Sequence, residues 1–383
     1  MRKRFVCGVL AALLVVALGV GASAAEAPSA GYIVVLKSAS AGDPGSIARE
    51  HADRFGLTID HVYQHALNGY SAFIPTAFVS AISSDPRVEL IERDQLARIS
   101  ATQTSATWGL DRIDQANLPL STTYSYANTG AGVTAYVIDT GLKFSHSEFT
   151  GRATSGYDAI DGGSADDCEG HGTHVAGTVG GTKYGVAKGV NLVIVRVLDC
   201  LGSGSYSQVI AGVDWVTGHH AAGAPAVANM SLGGGTSSAL DTAVRNSIND
   251  GVSYAIAAGN GNILGWAQDA CTTSPARVAE ALTMGATDKT DKKASFSNYG
   301  NCVDWFAPGV SIVSAGTSSN TATATLSGTS MASPHTAGVA ALYLQSNPSA
   351  SPAAVRTALF NLTTKGKVTS ANTANNHLLF TNM

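Results

Sequence analysis

Beyond residue 100, short apolar runs at 133–138, 190–198, 226–230, 252–257 and 282–286 show no alternation of apolar with polar residues. A strand with one wet face alternates, whereas a strand covered on both faces reads as a continuous apolar run. Helical stretches at 209–217 and 239–249 follow two of the runs. The pattern predicts an α/β unit with a mainly parallel sheet packed between helices. Ligands gather in such folds at the carboxyl ends of the strands, so chemistry is sought there. Charged residues make up 13% of the 383-residue chain and hydrophobic residues 45%, against about 25% charged in an average soluble protein. That composition excludes disorder. A net charge of −4 provides no basic stripe for nucleic acid and no polybasic patch for a membrane surface.

The N-terminus has a different character. Arg2-Lys3-Arg4, an apolar run over 5–20 and the small residues Gly21-Ala22-Ser23-Ala24 form the pattern of a secretory signal, 1–24. The run is short for a membrane span, and no other apolar stretch of about 18 residues follows, so no anchor is expected after its removal. A secreted, extracellular protein is predicted. Cys7 leaves with the signal, and Cys168, Cys200, Cys271 and Cys302 remain. Four cysteines in an oxidising compartment allow three connectivities. Sequential pairing closes two loops of similar size and is the expectation, each bridge adding roughly 3 kcal/mol.

Residues 31–100 carry 14 charges in 70 positions, whereas 101–383 carry 32 in 283. The earlier region reads as strands at 32–36, 70–74 and 88–91 with helices at 45–57 and 76–83, the latter stopped by Pro86. This is a small α+β unit of split βαβ type. It holds no cysteine and no cluster of catalytic residue types, so alone it would bind or chaperone.

The charge-poor region carries three motifs. Ala135-Tyr136-Val137-Ile138-Asp139-Thr140-Gly141 ends an apolar strand on a carboxylate; an isolated Asp there often just caps a turn. Gly170-His171-Gly172-Thr173-His174 opens a small-residue helix, and two histidines so spaced could be half a metal site, but no further His or Cys ligand is nearby. Ser327-Gly328-Thr329-Ser330-Met331-Ala332-Ser333-Pro334-His335 opens an apolar helix. Proline suits a first turn, which predicts Ser330 at or near the helix N-terminus, where free N–H groups favour negative charge. Together the motifs supply an acid, a base and a nucleophile in the order Asp139, His171, Ser330, the subtilisin order. The chain has no Gly-x-Ser-x-Gly elbow, which disfavours an α/β-hydrolase esterase.

With these motifs the chain, from about Tyr32 onward, resembles the subtilisin-like serine proteases, and within them the proteinase K branch with its bacterial aqualysin-like members. The resemblance implies a three-layer fold with a mainly parallel, about seven-stranded sheet, preceded by a propeptide, 25–100. That region would assist folding and then act as an intramolecular inhibitor, the peptidase domain 101–383 being freed by self-cleavage after Ser100. A monomer acting on protein and peptide substrates is implied. Ser330 would attack the peptide carbonyl, His171 accept its proton and Asp139 orient His171. The Asn260 side chain and the Ser330 N–H would hold the oxyanion.

The same resemblance assigns substrate backbone to Gly202-Ser203-Gly204 and Ser231-Leu232-Gly233, and an apolar pocket wall to Ala257, Ala258 and Gly259. Relatives usually have an aromatic where this chain has Thr273, followed by Ser274-Pro275, and the loop containing Trp266 is longer. A roomier pocket for large apolar and aromatic side chains follows. Val175 stands where fungal proteinase K carries a cysteine. No cofactor is implied for the chemistry. Calcium is implied as a structural ion at Asp111, Asp114, Gln115, Ser121 and Thr123, and again at Asp304 with the carbonyls of Ala279 and Ala281.

Overall fold

A computed structural model describes residues 29–37, 42–94, 101–262 and 264–383; the expected signal, 1–24, lies outside the described residues. The chain divides into two compact units, Met1–Arg98 and Ile99–Met383.

In the first unit β1 (Ser29–Leu36), α1 (Pro44–Phe55), β2 (Thr58–Tyr63), β3 (Gly69–Pro75), α2 (Val79–Ser83) and β4 (Val88–Arg93) follow in order. The sheet order is β2-β3-β1-β4 and its pairings are antiparallel. Val34, Leu36, Ile47, Tyr70, Ile74 and Ile82 form its core. Strand β2 was not anticipated from the sequence. It is an edge strand with an irregular register between Ile59 and His61, and mostly exposed residues, so no clean two-residue period marks it.

The second unit runs β5 (Ala101–Thr104), α3 (Trp108–Ile113), β6 (Thr123–Tyr126), β7 (Thr134–Asp139), β8 (Ala153–Asp158), α4 (His171–Gly180), β9 (Asn191–Arg196), α5 (Tyr206–His219), β10 (Ala226–Met230), α6 (Ser238–Asp250), β11 (Ser253–Ala257), β12 (Leu282–Thr287), β13 (Trp305–Pro308), β14 (Ile312–Ala315), β15 (Thr323–Leu326), α7 (Thr329–Ser346) and α8 (Pro352–Leu362). Seven strands form a parallel sheet in the order β13-β12-β11-β10-β7-β9-β8. Ala135 and Val137 of β7 pack in the same core as Val175 and Val179 of α4 and Val339 of α7. Tyr136 and Ile138 pack with Val213 of α5 and Val244 of α6. Both faces of β7 are thus covered, which explains its unbroken apolar run. The two edge strands, β8 and β13, escaped the sequence reading: one is largely polar and the other spans four residues.

After β7 the chain crosses to the edge strand β8, comes back to lay β9 between β8 and β7, and then places β10 on the other side of β7. This reversal opens a crevice at the carboxyl ends of β7 and β10, where Asp139 and Ser231 stand. Helix α5 is started by a capping box of Ser205 and Gln208, and α6 by Ser237. Pro334 corrects one expectation: it lies inside α7, beyond the first turn. A proline there cannot donate to the carbonyl four residues back. That carbonyl belongs to Ser330 and accepts instead from Ser231 Oγ at 2.8 Å. Disulfides join Cys168 to Cys200 and Cys271 to Cys302.

Helix α4 approaches the exit of β7 through a glycine: a Cβ on Gly172 would meet the Gly141 carbonyl oxygen at 2.3 Å. Backbone cannot yield as a side-chain end would. Gly172→Ala should therefore destabilise the unit by about 1–3 kcal/mol, read as a shortened half-life at raised temperature; an unchanged half-life would contradict this packing.

Candidate active site

The end of β7 buries Asp139 completely. Its Oδ1 accepts from the Thr140 N–H at 2.8 Å and lies 2.8 Å from His171 Nδ1. A carboxylate can only accept, so in the neutral ring this contact assigns the proton to Nδ1 and leaves Nε2 as an acceptor. His171 is the first residue of α4, and its backbone N–H donates to Glu169 Oε2 at 2.7 Å. Burial pulls its pKa down, but the charge and hydrogen bond of Asp139, with Glu169 and Asp167 adding, raise it to about 9. His174, the other half of the supposed metal pair, points elsewhere: Nε2 meets the Ile312 carbonyl at 2.9 Å, and burial lowers its pKa to about 4.

Ser330 lies in the first turn of α7. Its Oγ donates to the Ser231 carbonyl at 3.1 Å, and Ser330, His171, Asn260 and Met331 line one cleft of ≈ 340 Å³. Asn260 is oriented by Thr329, whose N–H and hydroxyl donate to Oδ1 at 2.8 and 2.9 Å. That fixes the amide and leaves its NH2 for other work. A Cβ placed on Gly328 would lie 3.3 Å from Asn260 Nδ2 and 3.5 Å from Ser330 N. The two donors therefore border one small volume, kept open by a glycine.

Ser231, Leu232, Gly233, Ala257, Gly259, Asn260, Thr273 and Ser330 line a cleft of ≈ 570 Å³. Gly202, Ser203, Gly204, Ser231, Leu232 and Gly233 line an adjoining cleft of ≈ 490 Å³ with His171. Ala258 corrects the expected wall: it packs behind the cleft with Val303 and Phe306, and its carbonyl accepts from Asn298 Nδ2 at 2.9 Å. Ala276 and Asn298 line the larger cleft and were missed. Asn298 also accepts from Gly261 N and Gln268 N through Oδ1, a long-range role for which no local motif exists. Trp266 is 68% exposed and does not line the cleft.

The supposed calcium residues behave differently at the two places. Among the described residues, no group of three or more His, Cys, Asp or Glu could hold a metal ion, so either place would rely on mixed oxygen ligands. Asp111 accepts from Ser121 N, Ser121 Oγ and Thr122 N at 3.0, 2.8 and 2.7 Å. Ser121 Oγ lies 2.7 Å from Thr123 Oγ1. Asp114 accepts from Ser125 N through Oδ2, while its Oδ1 is buried without a partner. Burial, helped by the charge of Asp111, pushes its pKa up to about 6. An orphaned carboxylate oxygen under the charge of a second carboxylate, Asp111, fits a hard cation. At the second place the residues do not fit: Arg356 donates to Asp304 Oδ1, and Thr283 N donates to Oδ2 at 2.8 Å. A guanidinium already neutralises that carboxylate, which corrects the ligand set of Asp304, Ala279 and Ala281.

A family model described as "Subtilase family" matches residues 130–378, and one described as "Peptidase inhibitor I9" matches 31–100. The extracellular serine proteinase of Thermus sp. (strain Rt41A) is 59% identical over 325 residues, covering 85% of this chain and 78% of that protein. Alkaline serine exoprotease A of Vibrio alginolyticus is 50% identical over 365 residues, covering 91% and 67%. The crystal structure of a cold adapted subtilisin-like serine proteinase matches with a TM-score of 0.69 and 54% identity, over 72% of this chain and 98% of that one. The chain belongs to the subtilase family of serine proteinases, with a peptidase inhibitor I9 region preceding its peptidase domain.

Proposed function

We propose that this secreted serine proteinase is a broad-specificity endopeptidase that works through Asp139, His171 and Ser330 and is made as a self-processed zymogen. The observation that carries the reading is the 2.8 Å contact of His171 Nδ1 with the buried Asp139, beside a serine at the start of α7 in the same cleft. His171 Nε2, as the free acceptor, takes the proton when Ser330 Oγ turns from the Ser231 carbonyl and attacks the peptide carbonyl. Asp139 stabilises the imidazolium that results. The tetrahedral oxyanion settles between Asn260 Nδ2 and Ser330 N. His171 then returns the proton to the leaving amine, and water hydrolyses the acyl-enzyme by the reverse sequence.

The side chain preceding the scissile bond enters the ≈ 570 Å³ cleft. With Thr273 in place of an aromatic, the cleft takes large apolar and aromatic groups. Segments 202–204 and 231–233 pair with the extended substrate backbone. The I9 match over 31–100 supports residues 25–100 as propeptide and inhibitor. The end of that match at residue 100 supports cleavage after Ser100. Calcium bound by Asp111, Asp114, Gln115, Ser121 and Thr123 would neutralise the buried Asp114 oxygen and tie α3 to β6. It supplies stability and takes no part in the chemistry.

Labelling with a serine-directed fluorophosphonate should modify Ser330 and stop casein degradation; proteolysis persisting in Ser330→Ala would overturn the mechanism. Because His171 must be neutral to accept a proton and its pKa is raised from 6.5 to about 9, activity is low below the midpoint and rises with pH. A one-proton rise in kcat/KM with its midpoint between those values is expected, and a midpoint below 6.5 would contradict it. Both Gly328→Ala, which fills the oxyanion volume, and Asn260→Ala should lower kcat by about 10²–10³-fold with little change in KM, measured on a peptide anilide. Chelation should accelerate heat inactivation, and Asp114→Asn should remove most of that dependence; equal inactivation rates of the native enzyme with and without chelator would refute the calcium role.

A further inference from the structure

Glu169 occupies a place that the proposed mechanism leaves unused. It lines the ≈ 490 Å³ cleft with His171, Leu198, Leu201, Gly202 and Leu232, and also the ≈ 340 Å³ cleft that contains Ser330. Among the residues lining these two clefts, His171 and Glu169 alone are ionisable. Its Oε2 is anchored by the His171 N–H at 2.7 Å, at the positive end of α4. The turn that carries it is held by Asp167 Oδ1, which accepts from Glu169 N and Gly170 N at 2.9 and 2.8 Å. A Cβ on Gly202 would stand 3.9 Å from the Glu169 carboxyl carbon, so the carboxylate faces the opposite wall of the cleft. Arg196, held against the neighbouring Cys168 sulfur, is committed to Asp158 and Asp161. Among the described residues, no Lys or Arg forms an ion pair with Glu169, although twelve ion pairs occur elsewhere.

The two larger clefts share Ser231, Leu232 and Gly233. Successive side chains of an extended peptide point to opposite sides. A peptide paired with this segment and with 202–204, one side chain in the ≈ 570 Å³ cleft, therefore presents its preceding side chain to the cleft that Glu169 borders. We propose that Glu169 selects substrates with a lysine or arginine at this preceding position. The inference rests on the reading of Ser330 as the nucleophile. A cation there completes a charge-assisted hydrogen bond to a carboxylate already fixed in position; an acidic side chain meets like charge.

The test compares succinyl-Ala-Ala-Xaa-Phe p-nitroanilides with Xaa as Lys, Ala or Glu, in low salt and at one pH. Taking the ratio of kcat/KM between two peptides on one enzyme cancels any effect of Glu169 on His171 itself. Native enzyme should prefer Lys over Ala by about three- to fivefold, the scale of a partly exposed ion pair, and should disfavour Glu. The Lys-to-Glu ratio should fall close to one in Glu169→Gln, invert in Glu169→Lys, and shrink in high salt for the native enzyme. A ratio unchanged in Glu169→Gln, with the Ala peptide still cleaved, would overturn the role of Glu169 alone. A gain from lysine seen only on the leaving-group side of the scissile bond, in internally quenched peptides, would overturn the position assigned. Failure of the native enzyme to cleave any of these peptides would overturn the endopeptidase reading as well.

Discussion

The arrangement depends on a carboxylate held out of water at the end of the central strand. Asp139 has no exposed surface, and its Oδ1 is shared between a backbone N–H and an imidazole. Burying such a charge is costly unless partners compensate. The fold supplies them at Oδ1, while Oδ2 is buried without a hydrogen-bond partner, by locating Asp139 where strand order reverses, so that α4 can bring His171 against it from one side. Gly172 lets the two segments touch through backbone at the Gly141 carbonyl. The same reversal places the end of β10 under the start of α7. There Pro334 frees the Ser330 carbonyl for Ser231, locking the serine's helix to the strand next door. In the proposed mechanism the proton path is thus defined by three element ends rather than by flexible loops.

Much of this is legible in the sequence. Unbroken apolar runs announced doubly covered strands, and Asp139, His171 and Ser330 stood at element ends in an informative order. What escaped had physical reasons. The polar edge strand β8 and the irregular strand β2 lack the periodicity that buried strands carry. The family resemblance assigned Ala258 to the cleft wall with its neighbours Ala257 and Gly259, whereas Ala258 packs with Val303 and Phe306. Asn298 acts from far along the sequence on Gly261, Gln268 and Ala258, and only the tertiary fold joins them. The helix start at Ser330 was inferred from a proline rule that the structure breaks, though the serine does lie in the first turn.

The two supposed ion sites show how one chain can solve the same electrostatic problem twice. At Asp304 a buried carboxylate is met by the Arg356 guanidinium, a cation carried by the chain itself. At Asp114 a buried oxygen has no hydrogen-bond partner, and in the proposed reading a calcium ion would balance its charge. Sequence could reveal the acidic residues at both places, but not that α8 would deliver an arginine to one of them. Glu169 belongs to the same pattern: it is tethered at one oxygen by the backbone of His171 and borders a cleft whose other walls, apart from His171 and Thr140, are glycine, serine and leucine.

The central claim is that buried Asp139 holds the proton on His171 Nδ1 and raises the pKa of the ring. Nitrogen NMR of selectively labelled histidine, recorded across pH on the native protein and on Asp139→Asn, tests this most directly. The account predicts that the neutral His171 ring is protonated at Nδ1, with a midpoint raised from 6.5 toward about 9, and that both properties are lost in the variant. A neutral ring protonated at Nε2, or a midpoint at or below 6.5 in the native protein, would contradict it.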